Sequence, residues 1–146
     1  LMAFIINHRS AKENFTLIPP EVEDARGVET GTLAVNGSHT AGDTTIAIDG
    51  FAADTANRLR TGDFIKFNGH TKIYMVVADV TSSSSAATVT IEPPLVSALA
   101  NDETVSYDNI PFTVHLTNDI QEFGVVGADK DGNLLYQFEF DVEESI

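Results

Sequence analysis

Short apolar runs alternate with turn-forming residues along most of the chain, a pattern typical of short β-strands. The clearest case is residues 62–78, where two apolar, β-rich runs flank the dipeptide Asn68-Gly69. Asn-Gly is the dipeptide most typical of a tight turn between antiparallel strands. We therefore predict a central β-hairpin whose tip is formed by Asn68, Gly69 and His70, with the His70 side chain exposed there.

The residues around this hairpin carry further strand patterns. In three short segments every second residue is apolar, which predicts strands with one buried face. The apolar positions are Leu33 and Val35 in the first segment, Ile46 and Ile48 in the second, and Ala87, Val89 and Ile91 in the third. With the hairpin and a further run at residues 104–107, the region contains about six β elements, enough to close a small barrel.

Two segments of the same region predict other structures. Residues 51–60 have apolar side chains at helical spacing, which predicts a short helical turn before the hairpin. This stripe consists of Phe51, Ala52, Ala56 and Leu59. Residues 82–85 are four consecutive serines, a run that predicts a solvated loop tip.

The C-terminal segment has the most regular alternation in the chain. Residues 112–116 and 136–143 alternate between apolar and polar side chains, and a third run lies between them at residues 120–126. A period of two predicts strands with one buried and one solvated face, so we predict an antiparallel meander. In its last strand one face carries Tyr136, Phe138, Phe140 and Val142, and the other carries Gln137, Glu139, Asp141 and Glu143.

A charged segment at residues 21–27 separates the predicted barrel from the N-terminal residues. Before it, Pro19-Pro20 ends a short apolar run, because proline has no N–H to donate to a sheet. We therefore predict that residues 1–26 and 109–146 form an outer β-sandwich part and that residues 27–108 form an inserted small β-barrel module. The predicted fold class is all-β, with antiparallel β-sandwich segments that enclose the barrel and at most one or two short helices.

The composition narrows the partners that such a fold could have. The 146 residues carry 22 acidic and 8 basic side chains, a net charge of −14, which argues against stable nucleic-acid binding. No apolar run approaches the roughly 20 residues of a membrane-spanning helix, so we expect no membrane insertion. Residues 1–6 lack a basic flank and a cleavage site, so we expect no signal peptide. The absence of cysteine excludes disulfides and thiolate metal sites and fits assembly in a reducing cytoplasm.

Residues that could support catalysis or metal binding are scattered. The four histidines, which follow no metal-ligand spacing, are His8, His39, His70 and His115. Residues 129–133 resemble the start of a calcium loop and also suit a hairpin turn, and Glu139 does not lie at the spacing of the final calcium ligand. The C-terminal carboxylates stand in a row instead of facing each other across a cleft. With no phosphate loop, nucleophile elbow or zinc-protease motif, we expect no enzyme, no catalytic residue, no metal and no cofactor.

Several of these pieces, in their order, are similar to a known family. They are residues 26–31 (RGVETG), 35–37 (VNG), 59–67 (LRTGDFIKF), 72–76 (KIYMV) and 87–95 (ATVTIEPPL), with flanking runs at 15–17 (FTL), 112–116 (FTVHL) and 136–142. This order resembles the β-module of distal-tail or minor-tail proteins, which lie at the tail tip, or baseplate, of tailed bacteriophages.

The resemblance implies a structural virion protein. Distal-tail proteins form rings, commonly hexameric, between the tail tube and the receptor-binding apparatus, and the family has no enzymatic active site. The resemblance therefore implies a homo-oligomer that contacts other phage tail proteins, lies in the virion tail and is assembled in the host bacterial cytoplasm. If the meander lines such a ring, Gln137, Glu139, Asp141 and Glu143 are interface or lumen candidates that would repel passing DNA.

Two other functions remain open from the sequence. A carbohydrate- or receptor-binding β module usually presents exposed aromatic side chains on a concave face. The chain has no Trp, and Tyr74 and Tyr107 are the only tyrosines in the module, so this alternative ranks lower. A capsid decoration protein would favour a trimer. The assembled mass separates the three functions, because a tail ring would contain about six copies and a glycan-binding module would be a monomer.

Overall fold

The computed structural model describes residues 13–117, 122–139 and 141–145. Within these residues the chain forms eleven β-strands and a single 3₁₀ turn, so the predicted all-β class is confirmed. No helix in this part of the chain is long and apolar enough to cross a membrane. The elements are β1 Phe15–Leu17, the 3₁₀ turn Pro20–Val22, β2 Leu33–Val35, β3 Thr45–Asp49, β4 Phe64–Phe67, β5 Ile73–Val76, β6 Ala86–Glu92, β7 Thr104–Ser106, β8 Phe112–Leu116, β9 Glu122–Ala128, β10 Leu134–Glu139 and β11 Val142–Glu144.

The chain divides into two compact units. One is the continuous segment Leu17–Phe112, and the other is formed by the residues on either side of it. Strands β2 to β7 of the continuous segment close a six-stranded barrel in the order β2-β3-β6-β5-β4-β7. All neighbouring strands are antiparallel. Strands β4, β5 and β6 follow one another, and β3 lies beside β6, which is a Greek-key connection.

The alternation of the barrel strands places their apolar residues in one core. Leu33 and Val35 of β2 and Ile46 and Ile48 of β3 are buried, as the period of two predicts. The other strands and loops contribute Ile65, Phe67, Tyr74, Val76, Val89, Ile91 and Val105, together with Phe51, Leu59, Val80, Leu95 and Leu99. Closure of the sheet lets every strand bury one face without leaving a free edge. The prediction of a small closed barrel is therefore confirmed.

The predicted helical turn at residues 51–60 is wrong. Phe51 and Leu59 are buried in the barrel core, but Ala52 and Ala56 are exposed, so the four residues do not form one stripe. Most backbone hydrogen bonds of this segment are made with distant residues. The Phe51 N–H donates to the Ser85 carbonyl at 3.2 Å, and the Val80 N–H donates to the Leu59 carbonyl at 2.9 Å. These long-range hydrogen bonds outweigh a weak local helical preference.

The serine run at residues 82–85 is more ordered than a solvated tip. Ser82 is buried and its hydroxyl donates to the Ala53 carbonyl at 2.5 Å. The N–H groups of Ser84 and Ser85 donate to the Asp54 carboxylate at 2.9 and 2.7 Å. The structure therefore assigns the run to a turn that Asp54 stabilises before β6.

The described part of the second unit contains two small sheets. Strands β1, β8 and β11 form a three-stranded sheet, in which Val114 and Leu116 of β8 are buried. Strands β9 and β10 form a separate antiparallel hairpin. Residues 136–143 are therefore not one continuous strand, as the alternation predicted, because β10 pairs with β9 and β11 pairs with β8. Period-two alternation cannot reveal this change of partner, since it suits both strands.

Candidate functional sites

The β9–β10 hairpin exposes an unusual amount of apolar surface. Val125, Val126, Leu134 and Leu135 are 57%, 60%, 56% and 48% exposed. Consecutive residues of a strand point to opposite faces, so both faces of the hairpin present branched apolar side chains to solvent. Among the described residues, β9 and β10 pair only with each other. An isolated two-stranded hairpin is at best marginally stable in water, which makes this hairpin a candidate contact surface.

The turn of this hairpin is the segment that resembles a calcium loop. Asp129 Oδ1 accepts the N–H groups of Asp131 and Asn133 at 2.8 and 2.9 Å. Hydrogen bonds from the Asn133 side chain and backbone lower the pKa of Asp129. In the described part of the chain, no three carboxylate or histidine side chains are placed to hold a metal ion. The carboxylate of Asp129 is thus already occupied in holding the turn.

The four lumen candidates are divided between the two sheets and the residue that joins them. Gln137 and Glu139 belong to the backbone of β10, and their side chains lie outside the described part of the structure. Asp141 lies after β10, and Glu143 belongs to β11; both are exposed. The four residues therefore do not form one row along a single strand, and their place in a lumen stays a prediction.

The tip of the central hairpin differs from its prediction. Residues 68–72 form a five-residue loop between β4 and β5, and neither Asn68 nor Gly69 has the left-handed backbone of a two-residue Asn-Gly turn. Asn68 and Gly69 are exposed, but His70 is only 7% exposed, so its predicted exposure is wrong. The His70 ring lies 2.8 Å from the Tyr74 hydroxyl through Nδ1 and 2.9 Å from the Ser97 hydroxyl through Nε2. These two partners hold the ring under the loop.

Two other histidines also have structural partners. His39 Nε2 accepts the Ala47 N–H at 3.2 Å, and His115 Nδ1 lies 2.9 Å from the Ser145 hydroxyl. His8 lies outside the described residues. His39 Nδ1 also lies 3.6 Å from Asp43 Oδ2, but no third ligand joins this pair within the described residues.

A polar groove of about 440 Å³ lies beside this loop, within the barrel unit. One wall is the loop at residues 68–71, and the other is the segment at residues 106–111 where the chain leaves β7. The residues that line it carry both charges, and they are Lys66, Asn68, Gly69, His70, Thr71, Ser106, Asp108, Asn109 and Pro111. Its size is within the range of about 300–1,000 Å³ that is typical of small-molecule sites.

Two buried carboxylates, Asp63 and Glu29, accept hydrogen bonds from the segment at residues 26–31, where the chain enters the barrel. Asp63, 3% exposed, accepts the N–H groups of Arg26, Gly27 and Arg60 at 2.9, 3.2 and 2.8 Å. Glu29 forms an ion pair with Arg58, with 2.6 Å between Oε2 and Nε. Burial by itself raises the pKa of Glu29, but hydrogen bonds from Arg58 and from three backbone amides lower it to about 2. Both carboxylates therefore act as fixed acceptors that shape the backbone around residues 26–31.

Sequence patterns alone missed the groove and the exposed hairpin. The hairpin had a signal, because Val125-Val126 and Leu134-Leu135 are adjacent apolar pairs that cannot both be buried on one face. The groove had none, since its walls come from residues about 40 positions apart with no shared motif.

The range of residues that matches a protein family has nearly the same boundaries as the barrel. A family model described as distal tail protein pb9, B domain, matches residues 25–110, more than half of the chain. That range begins and ends beside the pair formed by Ala25 and Asp108, whose N–H and Oδ1 atoms are 2.8 Å apart. No curated protein matches the chain.

Proposed function

The chain belongs to the family of the B domain of distal tail protein pb9, a structural component of the phage tail, and from this premise we propose that it forms a ring between the tail tube and the receptor-binding apparatus. Membership in this family places the protein in the tail of the virion. The ring, its copy number and its neighbours are the proposal. The exposed apolar hairpin is the observation that carries it.

The hairpin supplies a surface that assembly would cover. Both of its faces expose valine or leucine side chains, and each additional buried apolar Å² stabilises an interface by about 25 cal/mol. In the described structure, β9 and β10 also leave their outer edges without a strand partner. Exposed edges with apolar side chains favour pairing with another chain. A neighbouring copy in a ring is the partner that we propose.

The barrel is a poorer choice for the ring contact. Its six strands are closed, so it has no free strand edge to pair with a neighbour. We therefore assign ring formation to the unit that contains the hairpin and leave the barrel available for contacts outside the ring. In this arrangement the barrel is a module inserted into the ring-forming part, with proposed boundaries near residues 27 and 108.

The acidic residues support a negatively charged lumen. Asp141 and Glu143 are exposed, and Gln137 and Glu139 lie on the hairpin strand β10. A ring that placed these side chains inward would repel DNA and let it pass without binding. A structure of the assembled ring in which Asp141 and Glu143 face outward would overturn this part of the proposal.

The mass of the assembled protein tests the ring. We expect native mass spectrometry of the whole chain to show a closed species of about six copies. Replacing Val126 and Leu135 together by threonine keeps β-forming residues in the hairpin but removes apolar contact area. We expect the double variant to shift the population strongly towards the monomer.

A matched control separates the hairpin from general surface effects. Val28 in the barrel unit is 57% exposed, as Val125 is in the hairpin. We expect Val28→Thr to leave the assembled mass unchanged. A monomeric wild-type chain would contradict the ring, a trimer would favour a decoration protein, and equal assembly by the double variant would contradict the role of the hairpin.

A further inference from the structure

We propose that Asn68 is a site of self-catalysed deamidation and that Glu103 is the general base of this reaction. Asn68 and Gly69 form an exposed Asn-Gly pair in the loop between β4 and β5. Deamidation begins when the Gly69 backbone nitrogen attacks the side-chain amide of Asn68, and this nitrogen donates its hydrogen to Glu103 Oε1 at 2.6 Å. The inference is independent of ring formation, because all three residues belong to the barrel unit.

The side chain of Asn68 is available to react with this nitrogen. It is exposed, and within the described residues its amide group has no hydrogen-bond partner. Its backbone is fixed, because the Asn68 N–H donates to the Thr104 carbonyl at 3.0 Å. A Cβ atom at Gly69 would lie 2.7 Å from Glu103 Oε1, so any larger residue would crowd the carboxylate. Glycine therefore leaves the nitrogen accessible both to the amide and to the carboxylate.

Glu103 is held in the position that a general base requires. Its Oε1 atom accepts the Gly69 N–H, and its Oε2 atom accepts the Ala100 N–H at 3.3 Å. A general base must lie about 2.6–3.2 Å from the atom whose proton it takes. A backbone amide nitrogen is a poor nucleophile until its proton is removed, so a carboxylate at this distance should accelerate the attack.

The reaction needs no reagent except water. The Gly69 nitrogen forms a bond to Asn68 Cγ while its proton passes to Glu103. The side-chain nitrogen of Asn68 then leaves as ammonia and takes the proton back from Glu103. The product is a succinimide ring, and one water molecule opens this ring to aspartate or isoaspartate at position 68. Glu103 ends in the ionisation state in which it began, as a general acid–base catalyst must.

The chain contains a second Asn-Gly pair that lacks a base. Asn36 is also exposed, and the Gly37 N–H also donates a hydrogen bond of 2.6 Å, but the acceptor is Asn101 Oδ1. A side-chain amide oxygen accepts a hydrogen bond but does not take up a proton near neutral pH. We therefore expect Asn36 to deamidate more slowly than Asn68.

The modification would change the charge of the polar groove beside the loop. Asn68 lines this groove together with Lys66 and Asp108, which carry opposite charges. Deamidation adds a carboxylate, so the groove would then contain two acidic groups and one lysine. The isoaspartate product also adds one carbon atom to the backbone of the loop. The surface that the barrel presents would therefore change at a rate that Glu103 sets.

Peptide mapping of the whole chain by mass spectrometry tests the proposal. After incubation at neutral pH, the fractions of aspartate and isoaspartate are measured over time at positions 68 and 36. Glu103→Gln keeps an acceptor for the Gly69 N–H but removes the base, and we expect it to slow deamidation of Asn68 by about tenfold or more. Unfolding exposes an Asn-Gly pair and accelerates deamidation, so misfolding of this variant cannot produce the slower rate.

The matched control removes a neighbouring carboxylate that does not contact Gly69. Asp102 has a left-handed backbone with φ of 64°, which asparagine also tolerates. We expect Asp102→Asn to leave the rate at Asn68 unchanged. In the wild-type chain unfolded in urea, the two Asn-Gly pairs should deamidate at similar rates, because neither nitrogen then has a fixed acceptor.

A second variant tests the base in the opposite direction. Asn101→Asp places a carboxylate oxygen beside the Gly37 nitrogen, so we expect deamidation of Asn36 to become several-fold faster while the unfolding midpoint stays that of wild type. The proposal is overturned if Asn68 is not modified faster than Asn36 in the folded chain, or if Glu103→Gln leaves the rate at Asn68 unchanged or raises it. It is also overturned if the folded Asn101→Asp variant modifies Asn36 no faster than wild type does.

Discussion

The N–H of Ala25 donates a hydrogen bond to Asp108 Oδ1 at 2.8 Å, although the two residues are 83 positions apart. Beside it, the Asn109 N–H donates to the Glu23 carbonyl at 2.6 Å. The two ends of the barrel module are therefore joined directly to each other. Because its two ends meet, the module can be separated from the rest of the chain without opening its core.

This junction predicts that the barrel folds by itself. We expect residues 20–112, produced alone, to unfold cooperatively and to give a dispersed amide NMR spectrum. A shorter fragment of residues 28–107 lacks both joining hydrogen bonds and the Asp63 contacts to Arg26 and Gly27. We expect it to be less stable by about 2 kcal/mol or more. Loss of cooperative unfolding in the longer fragment would contradict the prediction.

We expect a single substitution of Asp63 to lower the free energy of unfolding strongly. Removing its carboxylate by Asp63→Ala leaves the N–H groups of Arg26, Gly27 and Arg60 without their acceptor. We expect the free energy of unfolding to fall by about 3 kcal/mol in urea denaturation. Asp24, an exposed aspartate of the same unit, is the matched control, and Asp24→Ala should change stability by less than about 0.5 kcal/mol. Equal effects of the two substitutions would show that the Asp63 contacts contribute little.

Because Glu29 and Arg58 form a buried ion pair, we expect the free energy of unfolding to fall in acid. The pKa of Glu29 is about 2 in the folded chain, lowered from 4.5, so the unfolded state takes up this proton first as the pH falls. The stabilisation from Glu29 is complete above about pH 5 and is lost between about pH 5 and pH 2; it amounts to about 3 kcal/mol. Urea denaturation at a series of pH values measures this dependence.

A double variant isolates the contribution of this pair. Glu29→Gln alone leaves the Arg58 charge buried without a counter-ion, so we expect it to be strongly destabilising. Combined with Arg58→Met it keeps an oxygen for the amides of Thr30, Gly31 and Ala52 and removes both charges. We expect the double variant to lose less stability than wild type between pH 5 and pH 2. An unchanged pH dependence would exclude Glu29 as its source.

Alanine substitutions of Gly50 and Gly37 can be compared to measure how much close packing at a glycine affects stability. Both have a left-handed backbone, with φ of 86° and 90°, so alanine is strained at either position. A Cβ atom at Gly37 would meet open space, but at Gly50 it would collide with the Thr32 carbonyl oxygen. We expect Gly37→Ala to cost about 1 kcal/mol and Gly50→Ala at least about 3 kcal/mol in thermal or urea unfolding. Similar costs at the two positions would contradict the collision.

The sequence by itself determined the class of the fold and most of the barrel strands. Leu33 and Val35, or Val89 and Ile91, are buried because the period of two is a local property that any pairing of those strands preserves. The family resemblance rested on the same local patterns. The resemblance predicted the family match over the barrel region, because the order of short β-strands along the chain reflects the topology of the barrel.

Only the tertiary structure decided which surfaces are free. His70 follows an Asn-Gly dipeptide and yet is buried, because Ser97, 27 residues later, lies against its ring. Residues 136–143 alternate without a break and yet divide between two sheets, since alternation does not specify the partner strand. The groove and the module junction also depend on residues distant in sequence. Local periodicity sets which face of a strand is buried, but contacts between distant segments decide what covers it.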